Sequence, residues 1–126
     1  MSDWLQSLKG EKYINLETFK KNGNGVKTPV WFAHDGDGIV FFTDSRSWKV
    51  KRLRRNDKVR IAACGYRGKV HGEWIDASCH RAQTPEDAKA VLRALTRKYW
   101  VLMPIGNAFV SISGRKKHRA FYRIVK

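Results

Sequence analysis

Residues 41–56 read FFTDSRSWKVKRLRRN, and the rest of the chain is organised around them. The stretch opens as an apolar run ending at Thr43 and passes through Asp44, Ser45, Arg46 and Ser47. It then becomes a basic segment with helical spacing. Val50 and Leu53 lie three apart, which reserves one apolar side for a core. A strand, a hydroxyl-rich turn and a helix start in that order suit an anion. The free first-turn N–H groups and the positive end of the helix dipole both favour negative charge there. Lys49, Lys51, Arg52, Arg54 and Arg55 add formal charge. No Gly-x-x-x-x-Gly-Lys-Ser/Thr is present, so this is not a P-loop. Without a ligand the same residues make a solvated basic helix capped by Asp44 or Ser45.

Upstream, residues 2–8 form a short helix with Trp4, Leu5 and Leu8 on one side. Tyr13, Ile14, Leu16 and Phe19 mark a first strand. Two successive Asn-Gly pairs within residues 20–25 mark a tight hairpin turn. Residues 26–34 return as a second strand, in which Pro29 implies an edge, a bulge or a backbone facing a ligand. After a turn at 34–38, residues 39–43 form a third strand, so the three read as a β-meander feeding the basic helix. Downstream, residues 58–64 run from alternating to apolar, as a strand entering the core. Residues 72–81 follow as a longer strand with no cleanly apolar face, expected in part to meet a partner or ligand.

Thr84-Pro85-Glu86-Asp87 is a helix start, with a Thr cap, Pro in the first turn and acids after it. Ala88, Val91, Leu92, Leu95 and Tyr99 continue it as a core stripe. Residues 100–107 read as a packed loop or broken helix. Residues 108–113 and 120–125 read as a final hairpin around Arg115, Lys116 and Lys117. The sum is a mainly β chain: a small barrel of about seven antiparallel strands with two to three helices, as one domain over residues 1–126.

The formal net charge is +15, from 26 Lys and Arg against 11 Asp and Glu, which implies an anionic partner. A hydrophobic share of 42% and an aromatic share of 12% fit a folded domain rather than a basic tail. Cys64 and Cys79 have no close spacing motif and are expected to be buried and reduced, as in a cytoplasmic protein. No signal-peptide pattern or membrane-length apolar run is expected to direct the chain elsewhere. His34, His71, His80 and His118 are scattered, and no Cys-x-x-Cys pair supports a metal site. No nucleophile–base pair stands out, so any chemistry belongs to a cofactor that the protein orients.

Several ordered segments carry a family resemblance. Residues 13–32, YINLETFKKNGNGVKTPVWF, resemble the opening hairpin of the pyridoxamine-5′-phosphate-oxidase-like split β-barrel proteins. They are most similar to the deazaflavin (F420)-dependent oxidoreductase branch, in which a Thr-Phe-Arg-x-x-Gly turn precedes Thr-Pro-Val-Trp. Residues 42–53 resemble that family's phosphate-binding strand and helix. Residues 56–64 resemble the strand that follows, and 72–77 the Gly-x-Trp-Val-x-Gly strand. Lys20 stands in place of the branch's Arg, Asp57 and Ala63 in place of prolines, and Trp48 where a small residue or Arg is common.

The resemblance implies an FMN-binding-like split barrel that forms a homodimer, with its cofactor between protomers. It implies that Thr28, Pro29, Val30 and Trp31 lie along the flavin or deazaflavin ring. Thr43, Asp44 and Ser45 would then line the ribityl chain and ring edge. Ser47, Trp48, Lys49 and Arg52 would hold the phosphate, with Lys20 reaching the same anion. Coenzyme F420 carries a phosphodiester and an anionic tail, and the basic residues from Lys49 to Arg55 with 115–117 suit it better than the single phosphate of FMN. The implied activity is hydride transfer between reduced deazaflavin and an unsaturated or conjugated small molecule. FMN in the same fold is the alternative. Two further readings change class: a basic β-barrel that binds nucleic acid, and a non-catalytic carrier of a cofactor or tetrapyrrole. The ordered motifs favour the cofactor-dependent oxidoreductases over both.

Overall fold

The computed structural model describes residues 3–102 and 119–126. Seven antiparallel strands form one sheet with the order β2-β1-β5-β6-β7-β4-β3. In chain order these are β1 (Tyr13–Phe19), β2 (Gly25–Trp31), β3 (Ala33–Asp35), β4 (Gly38–Asp44), β5 (Lys58–Cys64), β6 (Ile75–Arg81) and β7 (Arg119–Val125). The helices are α1 (Asp3–Ser7), α2 (Trp48–Arg55) and α3 (Pro85–Leu102). This is the mainly β split barrel expected from the sequence.

The β1–β2 hairpin forms where the Asn-Gly pairs place it. Lys20 N–H donates to Asn24 O and Gly23 N–H to Lys20 O. Gly23 reverses the chain at φ +88°, a conformation that a side chain resists. Pro29 lies opposite Asn15 on β2, an edge strand of the sheet order. There its missing N–H breaks no ladder on the open side.

The expected meander does not form. β2 pairs with β1 and β3 pairs with β4, and the two pairs stand at opposite ends of the strand order. Only Phe32 separates β2 from β3 in sequence. The sheet therefore curls until β2 comes up against β4. The single long strand expected at 26–34 is broken at Phe32, where the chain leaves one ladder for the other. Seven strands are found among the described residues, of which β3 was not foreseen. The strand expected at 108–113 lies outside the described residues, as do the basic turn at 115–117 and most of the loop at 100–107, whose first residues continue α3.

Phe32 is fully buried, so its backbone groups need partners. Its N–H donates to the Tyr99 hydroxyl at 3.0 Å. Its carbonyl accepts from the Lys98 ammonium at 2.8 Å and lies 2.8 Å from the Tyr99 oxygen. Lys98 also donates to Glu11 O at 2.5 Å, and the Tyr99 oxygen lies 2.6 Å from Lys12 O. The Tyr99 proton serves one carbonyl at a time. The helix that supplies both side chains is capped as its sequence implied, with Thr84 Oγ1 accepting Asp87 N–H at 3.1 Å.

Two clusters fill the two sides of the curled sheet. Ile14, Leu16, Phe41, Ile61, Tyr122 and Ile124 pack inside with α1 and with Val50 and Leu53 of α2. Val91, Ala94, Leu95 and Tyr99 of α3 cover Ala33 and Val40 on the outside. Strand β6 is shorter than expected, and its inner face is apolar after all: Ile75, Ala77 and Cys79 join the interior cluster. Both cysteines are free and buried, as expected.

Tyr99→Phe should cost about 1–3 kcal/mol, because Phe32 N–H loses its acceptor in a buried site. Tyr66→Phe, at a side chain exposed over most of its surface, should stay within about 0.5 kcal/mol. Urea unfolding midpoints compare the two. Burial pushes the Lys98 ammonium down from 10.5 to about 8, partly offset by the Glu11 charge. The folded value lies below the unfolded one, so the unfolded chain binds more protons in that interval. This group's contribution to stability therefore rises with pH from about 8 to 10.5 and is lost as pH falls through the lower value. Lys98→Met should remove that part of the rise, measured as the difference between wild-type and variant midpoints across the interval.

Candidate cofactor-binding site

At the end of β4 the chain turns through Asp44. The Asp44 carboxylate accepts Arg46 N–H at 2.8 Å and pairs with the Arg46 guanidinium at 3.0 Å. Ser47 N–H donates to Asp44 O. This two-residue side-chain turn delays the helix, so Ser47 takes the cap position rather than Asp44 or Ser45. Ser47 has extended backbone angles, φ −72° and ψ 159°, and its hydroxyl makes no cap bond. The Ser47 Oγ is covered and has no hydrogen-bond partner among the described residues. A helix start with a partnerless hydroxyl and unsatisfied first-turn N–H groups is chemically suited to a phosphate oxygen.

Helix α2 then lies along the β1–β2 turn. Val50 and Leu53 face the interior, which turns the basic side outward. Arg52 reaches Thr18 Oγ1 at 3.5 Å and Arg55 donates to Phe19 O at 3.3 Å, tying the helix to the end of β1. Between turn and helix opens a cleft of about 500 Å³ lined by Lys20, Lys21, Trp48, Lys51, Arg52 and Arg55. Five of these six residues are cationic and none is acidic. Trp48 is 68% exposed, with the Lys51 ammonium 4.2 Å from its ring centroid. The structure thus brings Lys20, Trp48 and Arg52 together, although 28 positions separate Lys20 from Trp48 in the sequence. Lys21 was missed by sequence reasoning. Its signal was its place beside Lys20 in the hairpin turn.

Lys49 and Ser47 lie outside the lining of this cleft. The Lys49 ammonium is pushed below its ordinary value, first by burial and then by repulsion from Arg52. An anion beside it would offset both by favouring the charged form. Thr43 and Ser45 flank the turn half-buried, whereas Asp44 is committed to Arg46 and stands opposite Arg119 on β7. On β2, Thr28, Pro29, Val30 and Trp31 lie opposite Leu16, Asn15, Ile14 and Tyr13. Thr28 Oγ1 is covered and without a partner among the described residues. Trp31 stacks on Tyr99 at 5.2 Å, so one face of its indole belongs to the core. None of the four lines the basic cleft.

The family description for pyridoxamine 5′-phosphate oxidase matches residues 3–124. The chain belongs to that family. No curated protein matches it. Among solved structures, an F420 reductase shares the fold with a TM-score of 0.65 at 17% identity, over 99% of this chain and 94% of that one. A FAD-binding protein from Mesorhizobium loti gives 0.63 at 17% identity, over 99% and 89%. A heme storage protein from Vibrio cholerae gives 0.69 at 12% identity, over 98% and 87%. At these identities the likeness speaks for the fold alone.

For a member of this family, the partnerless oxygens of Ser47 and Thr28 are an observation about fit. Both are hydroxyls covered by protein, and each can donate to an acceptor that the described residues do not provide. Among the described residues no three His, Cys, Asp or Glu side chains converge as a metal site. No described helix is long and apolar enough to cross a membrane.

Arg52→Gln should raise the Lys49 value while leaving it below 10.5, because the like charge is removed and burial remains. A pH titration of the lysine side-chain NMR signals, assigned with Lys49→Arg, reads this directly.

Proposed function

We propose that this protein is an oxidoreductase that binds coenzyme F420 and exchanges a hydride with an unsaturated or conjugated small molecule. The observation that carries the reading is the acid-free basic cleft beside the helix start at Ser47. A phosphate alone needs one or two cations. The cleft supplies five, which suits a cofactor whose anionic tail continues past its phosphate. The similarity of fold to an F420 reductase supports the same choice. FMN is the alternative cofactor, supported by the fold shared with a FAD-binding protein.

In this reading the Ser47 hydroxyl, the first-turn N–H groups of α2, Lys49 and Arg52 hold the phosphate. Lys20, Lys21, Lys51 and Arg55 line the path of the tail, with Trp48 as its apolar wall. Thr28, Pro29, Val30 and Trp31 flank the ring, where the Thr28 hydroxyl donates to a polar ring edge. Thr43 and Ser45 border the chain between ring and phosphate, and Asp44 keeps their turn in shape through Arg46. When bound, the deazaflavin supplies the hydride chemistry. The protein binds, orients the two reactants and keeps water away. No side-chain nucleophile is required. A second copy of the chain completes the groove as a homodimer, and the protein acts in the cytoplasm.

A second reading is a non-catalytic carrier, favoured by the fold shared with a heme storage protein. It has the same barrel but no turnover. Fluorescence titrations of the cofactor-free protein with F420 and FMN, at low and moderate salt, separate these readings. Saturable F420 binding with much weaker FMN binding is expected. Lys49→Ala and Arg52→Ala should each weaken F420 at least about tenfold, as loss of a charge-assisted phosphate contact does. Lys89→Ala, on the exposed side of α3, should leave it unchanged. Preferential FMN binding selects the alternative cofactor. Equal losses from Lys49→Ala and Lys89→Ala would remove the specific phosphate site. Tight binding with no turnover by any reductant would select the carrier.

A further inference from the structure

A second pocket lies across α2 from the basic cleft. It has a volume of about 300 Å³ and opens between the other flank of the helix, the end of β6 and the middle of β7. Val50, Leu53 and Cys79 give it an apolar floor, all buried. Tyr122 stands at its base. That residue is 2% exposed, and its ring stacks on Phe41 at 5.3 Å with an interplanar angle of 16°. The ring is therefore held in place, its residue lines the pocket, and its hydroxyl has no hydrogen-bond partner among the described residues.

Charge gathers around the same point. Arg81 is the ladder partner of Tyr122, and Arg54 comes from the helix. Burial raises the Tyr122 phenol, the first cause of its shift, while the Arg81 and Arg54 charges pull it down, so both guanidiniums act on it. The phenol stays protonated and is a donor at neutral pH. Asp57 also lines the pocket, with its carboxylate 3.9 Å from the His80 ring. The two arginines outweigh this single acid. An apolar floor, one fixed donor and two cations at the mouth form a concave site of the kind that holds a small amphiphilic anion.

We propose that this pocket binds a small organic monocarboxylate, its apolar body on Val50 and Leu53 and its carboxylate between the Tyr122 hydroxyl, Arg54 and Arg81. The site shares α2 with the basic cleft but none of its lining residues. It does not depend on the identity of the cofactor.

The test is an amide NMR titration of the full-length protein with benzoate, benzamide and inorganic phosphate. Saturable benzoate shifts are expected around Arg54, Arg81 and Gln83. Benzamide and phosphate should each bind at least about tenfold more weakly, since one lacks the charge and the other the apolar body. Tyr122→Phe keeps the ring stack and removes only the donor, and should weaken benzoate about tenfold. The double variant Arg54→Gln with Arg81→Gln changes exposed side chains only, and should weaken it as much. It keeps the test decisive if Tyr122→Phe fails to fold. Three results overturn the proposal: no saturable shift, phosphate binding as well as benzoate (an adventitious ion only), or benzoate affinity unchanged in the double arginine variant.

Discussion

The barrel depends on one buried peptide corner. At Phe32 the chain leaves the ladder it shares with β1 and joins the ladder it shares with β4, at the other end of the strand order. A residue between two ladders has no strand neighbour for its N–H and C=O, and a buried one has no water either. Tyr99 and Lys98 fill that role from α3. They also take up the carbonyls of Glu11 and Lys12 just before β1. One helical turn thus joins the entry to the sheet and the place where it curls. Burying the Lys98 amine has a cost, visible in its lowered pKa. That cost is offset by two carbonyl acceptors and by the Phe32 ring, whose centroid lies 3.7 Å from the ammonium.

Once the sheet is curled, α2 is the element with functional consequences on both flanks. Its apolar residues are held inside, so its cations are presented on a fixed surface. Five cations around one cleft repel one another, and on the helix the Arg52 charge adds to the burial that lowers the Lys49 value. In a chain carrying +15 overall, little distant negative charge offsets it. An arrangement of this kind gains most from an anionic ligand, because each like-charge contact becomes a shared attraction. The covered hydroxyl of Ser47 makes the same point at shorter range.

Much of this was legible in the sequence because it is local. The Asn-Gly pairs fix a hairpin, the Thr84 cap starts a helix, and Val50 with Leu53 sets the inward side of α2. Each depends on residues within one or two turns of one another. The helix cap at Ser47 was not legible, since Asp44, Ser45 and Ser47 all qualify by type. The choice fell to the Asp44 carboxylate, which bonds Arg46 and delays the helix. The apolar inner face of β6 was also obscure, because Glu73, which has the parity of Ile75, Ala77 and Cys79, lies outside the strand.

By itself the sequence determined the first hairpin, the basic helix start, the cap of α3 and the family to which the chain belongs. Only the tertiary structure decided which elements meet. The break at Phe32 sends consecutive strands to opposite ends of the sheet, a choice that turns on an acceptor from Tyr99 and a donor from Lys98 more than sixty residues later. The packing of α2 along the first hairpin brings Lys20 to Trp48 and Arg52, and the same packing opens the pocket at Tyr122 on the helix's other side. Such contacts arise from burial and hydrogen-bond satisfaction summed over the whole sheet, and no local stretch of sequence encodes that sum.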